Sequence, residues 1–129
     1  MKKIILFFLV ISFFSACKEK STLEGEVIAI HDEVMPKMGE IHVAKKKLKK
    51  ILAETQEESV KTEISILISN LENADEGMMD WMHNWKVPEN DPEMTAYLLK
   101  ERDKITKVKL NMLNSLDAAN SFVAKSNKK

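Results

Sequence analysis

The chain has 129 residues, 20 basic and 20 acidic side chains, and a single cysteine. That length allows one domain with one core, the balanced charge gives no footprint for a nucleic-acid partner, and a lone cysteine excludes an internal disulfide. Glycine and proline are scarce while lysine, glutamate, leucine and methionine abound, which is helical composition.

The N-terminus reads Met1-Lys2-Lys3, then an apolar run from Ile4 to Phe14, then Ser15-Ala16-Cys17. A basic start, a short apolar stretch and small residues before a cleavage point describe a secretory signal, too short to span a bilayer stably. Phe14-Ser15-Ala16-Cys17 resembles the bacterial lipobox, whose cysteine is diacylated and becomes the new N-terminus; Phe14 departs from its usual aliphatic residue. Residues 1–16 are therefore read as a lipoprotein signal peptide, Cys17 as the lipidation site and 17–22 as a short polar tether. The alternative is an ordinary secretory signal followed by a free thiol. Lipidation would account for the lone cysteine, which otherwise is an awkward reactive group. Lys18-Glu19-Lys20 loosely resembles the charged signal that sends some Bacteroidetes lipoproteins to the cell surface. The expected location is the cell envelope, with a membrane-anchored domain facing the periplasm or the cell surface.

Residues 23–125 carry three helical patterns. In the first, Val27, His31, Val34, Met38, Ile41, Lys45, Leu48 and Leu52 alternate steps of four and three, a heptad seam. Pro36 interrupts it, and removal of one backbone bond predicts a kink near residues 32–35 rather than a stop. The run Lys45-Lys46-Lys47-Leu48-Lys49-Lys50 reads as a solvated face whose cations suit the helix C-terminus. Thr55-Gln56-Glu57-Glu58 has the form of a capping box with Thr55 as N-cap. The second seam, Val60, Ile64, Leu67, Leu71, Ala74, Met78, Trp81 and Trp85, keeps the rhythm without a miss. After a turn at 86–90, Asp91-Pro92-Glu93 starts a third helix, with Asp91 as N-cap. Its face runs from Met94 and Leu98 to Phe122, with Glu101 as the one charged intruder. Residues 126–129 read as a frayed tail. The expected fold is all-α: an antiparallel up-down-up three-helix bundle of long, coiled-coil-like helices, about 45 Å long.

Short turns set which residues share a level. Folding about residue 55 puts His31 level with about Asp80 and Met35 level with about Glu76; folding about residue 88 puts Met94 level with about His83. Met35, Met38, Met78, Met79, Met82 and Met94 thereby gather toward the membrane-proximal end, with His31, His83 and both tryptophans; Met112 lies elsewhere. One reading makes this an irregular core end, filled by adaptable thioethers and closed by tryptophans. A sharper one is a soft-metal site, since thioethers and imidazoles suit Cu(I). His31 with Met35, and Met78 with Met82, are i,i+4 pairs on facing helices and form its first-choice ligand set. Met38, Met79, His83 and Met94 are second choices, and Trp81 or Trp85 would shield the ion. His42 lies about 16 Å along the axis from His31 and cannot share it. A His/Met-held haem is a further option without an attachment motif.

Other chemistry lacks its residues. There is no pair of Glu-x-x-His motifs for a di-iron centre, Asp80-Trp81-Met82-His83 being the nearest approach. Nor is there a His-Glu-x-x-His, a cysteine pair or a glycine-rich phosphate loop. No serine or cysteine neighbours a histidine in sequence, and a narrow bundle offers no obvious substrate cleft. The expectation is a non-enzyme without a cofactor, Cu(I) being the alternative. Its partners would be the membrane, through Cys17, and a protein of unknown identity, with self-association into a larger coiled coil as a further option.

The stretches His31-Asp32-Glu33-Val34-Met35-Pro36-Lys37-Met38-Gly39-Glu40-Ile41 and Met78-Met79-Asp80-Trp81-Met82, behind the lipobox, resemble a family of small Flavobacteria-type lipoproteins of the Bacteroidetes. Its members often carry the label "viral A-type inclusion protein", which reflects coiled-coil similarity. The resemblance covers most of the chain after Cys17 and implies an envelope lipoprotein. It carries no activity and no functional residues.

Overall fold

In the computed structural model, residues 14–90 and 92–128 are described, with side chains from residue 22 onward. The signal segment read at residues 1–16 lies for the most part outside them, as do the side chain of Cys17, Asp91 with its expected N-cap role, and Lys129. Four helical segments follow in order: α1 (Phe14–Val34), α2 (Lys37–Glu54), α3 (Glu58–Asn84) and α4 (Glu93–Ser126). The backbone of residues 18–22, read as a tether, is part of α1. Among the described residues no helix is long and apolar enough to cross a membrane.

α1 and α2 are one helix bent at Pro36. The proline keeps right-handed helical angles, φ −61° and ψ −22°. Met35 N–H still reaches His31 C=O at 2.9 Å, but Met38 N–H finds only Met35 C=O, at 3.2 Å. One missing donor therefore bends the helix without ending it, as the sequence predicts. The bend decides the packing. α1 lies along α4 and scarcely meets α3, whereas α2 packs on both α3 and α4. A shallow hollow of about 440 Å³ opens beside the bend, where Pro36, Gly39 and Val43 face Asn120.

The three long elements form an up-down-up bundle, all-α as the periodicity implies. Val27, Val34, Ile41 and Leu48 of the bent helix are fully buried against Ile64 and Leu71 of α3 and Ile105 and Met112 of α4. Each such aliphatic side chain removed from water contributes about 1.5–3 kcal/mol, which is what holds helices of ordinary propensity together. Lys45, the cation on the first seam, is half-buried and meets Glu72 of α3 at 3.3 Å, while Lys46, Lys47, Lys49 and Lys50 are exposed. Glu101 is buried, 2 % exposed, and pairs with Lys104 one turn on at 2.5 Å.

Two local expectations fail. Thr55 does not cap α3: it is extended, φ −82° and ψ 143°, and closes α2 by donating its N–H to Ile51 C=O. Its hydroxyl accepts Glu57 N–H at 3.3 Å, a turn-type bond, so no capping box forms and Glu57 stands at the N-cap position without a side-chain cap bond. The α3–α4 register is also shifted by about one turn. The connection spans Trp85 to Pro92, and Trp85 meets Tyr97 with ring centroids 5.8 Å apart. Met94 therefore lies level with the connection rather than with His83.

Candidate functional site

The α1–α3 register holds where it matters for the methionine cluster. The rings of His31 and Trp81 lie 5.5 Å apart, tilted by 31°. This contact puts the turn bearing His31 and Met35 level with the turn bearing Met78, Trp81 and Met82. Trp81 stacks in turn on Trp85 at 5.0 Å, and Trp85 on Tyr97, so four rings run from α1 across α3 to α4. Tyr97 is fixed by backbone: its hydroxyl accepts Lys86 N–H at 2.7 Å and points its own proton toward Asn84 C=O at 3.5 Å. Sequence reading did not bring Tyr97 into this cluster. The signal was its position three residues after Met94, one turn along the same helix.

The thioethers differ in access. Met78 is fully buried inside the core. Met35, Met38 and Met82 are half-buried at the edge of the same core. Met79 points outward, 52 % exposed, and Met94 is half-buried at the start of α4. His83 and His42 are exposed. His31 thus touches Trp81, Met78 belongs to the core and Met35, Met38 and Met82 pack against it, while Met79, His83 and Met94 stand outside the core cluster.

His31 meets its sequence neighbour. Its Nδ1 lies 2.9 Å from Asp32 Oδ1, and in the tautomer that donates to this carboxylate Nε2 keeps its lone pair. The side chain is 20 % exposed, at the edge of the bundle rather than inside it. Trp81 is buried, and its indole N–H has no hydrogen-bond partner among the described atoms. Between α3 and α4 a hollow of about 340 Å³, open to solvent, has Trp81 and Glu101 at its floor and Asp80, Asn84, Lys104 and Lys107 around it. Among the described residues, no three of histidine, cysteine, aspartate and glutamate come together to hold a metal ion. The donors on the level shared by the α1 and α3 turns are thioethers and one imidazole.

No family model, curated protein or solved structure matches the chain. Its class therefore rests on its own geometry: an all-α bundle of one bent and two straight helices, with a methionine- and aromatic-rich edge where α1 leaves α3.

Proposed function

We propose that the chain is a lipid-anchored bundle of the bacterial cell envelope that acts by binding or by structural support, without catalysis. The observation that carries this reading is Phe14-Ser15-Ala16-Cys17 behind a short apolar run, which supplies both an export route and a use for the lone thiol. The fold supports it. Side chains along the seams are spent on helix packing, and the three histidines stand singly: His31 against Trp81, His42 and His83 in solvent. Metabolic labelling with an alkynyl fatty acid tests the anchor. The wild type should take up label and sediment with membranes, and Cys17→Ser should do neither. A wild-type chain that stays unlabelled and leaves the membrane fraction overturns the reading.

A second reading, an envelope protein that binds Cu(I), is favoured by the contact of His31 with Trp81, which brings the methionine-bearing turns of α1 and α3 to one level. Competition for Cu(I) against a chromogenic chelator tests it. Retention of one ion per chain supports it, and complete loss to the chelator removes it.

A further inference from the structure

Resting on the Cu(I) reading, we infer that the α1–α3 edge of the core is a site for a soft monovalent cation, held by His31 Nε2 and the thioethers of Met35 and Met82. Trp81 forms its inner wall, and Asp32 is a positioning residue. Four observations converge on this set. The hydrogen bond from His31 Nδ1 to Asp32 leaves Nε2 as the ring's only free lone pair, the arrangement that outer-shell carboxylates impose on metal-binding imidazoles. The imidazole leans on Trp81 instead of standing in solvent, so the ring belongs to the boundary between α1 and α3. Met35 follows His31 by one turn on the same face, and Met82 follows Trp81 directly on α3; both are half-buried at the core edge, where an ion can reach sulfur. The bend at Pro36 lays α1 on α4, with little direct contact to α3.

Access decides among the methionines. Met78 is sealed in the core and supplies packing, whereas Met79 faces outward and lies off the strip. The donor chemistry decides the ion. With no cluster of three carboxylate, thiolate or imidazole groups among the described residues, hard and borderline divalent cations lack a site here. Two thioethers and an imidazole suit Cu(I) or its analogue Ag(I). Coordination needs no change of oxidation state when the metal arrives as Cu(I).

The test is a Cu(I) titration of the full chain in detergent micelles against bicinchoninate, with tryptophan emission followed in parallel. Met35→Leu and Met82→Leu conserve volume and keep the fold, so they separate ligation from packing. The wild type should take one Cu(I) with quenching of Trp81. His31→Gln, Met35→Leu and Met82→Leu should each weaken binding, while Met79→Leu and Met112→Leu should not. Asp32→Ala should cost about tenfold in affinity, the usual size of an outer-shell effect, and should redistribute the His31 tautomers in ¹⁵N spectra without changing helicity. A chain that surrenders all its Cu(I) overturns both this site and the Cu(I) reading. A chain that binds one ion but is indifferent to Met35→Leu and Met82→Leu overturns this ligand set alone.

Discussion

Glu101 and Trp81 show what single residues cost this core. A carboxylate 2 % exposed on an apolar seam is paired, among the described residues, with Lys104, whose side chain is half in water. Removing the acid and removing the base are therefore unequal changes. Glu101→Met replaces a desolvated charge by an adaptable apolar chain of similar size and should leave stability unchanged or raise it by about 1 kcal/mol. Lys104→Met leaves the buried carboxylate uncompensated and should lower stability by about 1–2 kcal/mol. Urea unfolding of the two variants checks the sign of the difference. Equal losses would mean that Glu101 has a partner beyond Lys104. Trp81 pairs a cost with a return in the same way. A buried donor without a partner costs about 1–3 kcal/mol, and stacking on His31 and Trp85 returns about 0.5–1.5 kcal/mol per pair beyond area burial.

At the scale of elements, the seams were legible and the ends were not. A heptad pattern is a statement about burial, and burial dominates the energy: Val27, Val34, Ile41 and Leu48, then Ile64, Leu71 and Met78, are buried where the pattern puts them. Thr55-Gln56-Glu57-Glu58 misled because a threonine hydroxyl serves a turn as readily as a cap, and here closing α2 won. It follows that Thr55→Ala should cost less than about 0.5 kcal/mol, short of the ~1 kcal/mol typical of a true N-cap. Thermal unfolding distinguishes the two, and a full-sized loss would restore the capping role. Pro36 was legible as a kink because its missing donor is covalent and context cannot supply it. Pro36→Ala restores that donor without forbidding the bend. Stability should rise by about 1 kcal/mol, a fraction of the ~3 kcal/mol that separates the two residues in a straight helix. A fall in the urea midpoint would instead show that proline holds α1 against α4.

For the molecule as a whole, the level of each residue depends on the connections. The α2–α3 link is short, so pairing His31 with the Trp81 turn could be counted from sequence. The longer α3–α4 link absorbs residues that counting cannot assign, which is why Met94 was misplaced and the meeting of Tyr97 with Trp85 was not foreseen. What sets α4 against α1 is visible in charge. Glu26 meets Arg102 at 3.2 Å and Glu33 meets Lys109 at 2.6 Å, each pair 76 residues apart and the two pairs one heptad apart. Both bridges are partly solvated, so each contributes only about 0–1 kcal/mol and salt weakens it. Their consequence is register more than stability, because a one-heptad slip of α4 would keep one bridge of the two, Arg102 on Glu33 or Lys109 on Glu26, while still offering apolar residues to the core. The charge-swapped pair Glu26→Arg with Arg102→Glu should therefore recover most of the stability that either single change removes. The coupling should be about 0.5 kcal/mol in dilute buffer and fall toward zero in about 1 M salt, where the screening length is about 3 Å. A double-mutant cycle at two ionic strengths measures it. A coupling that survives high salt would mean that Arg102 acts by packing its stem on α1 rather than by charge.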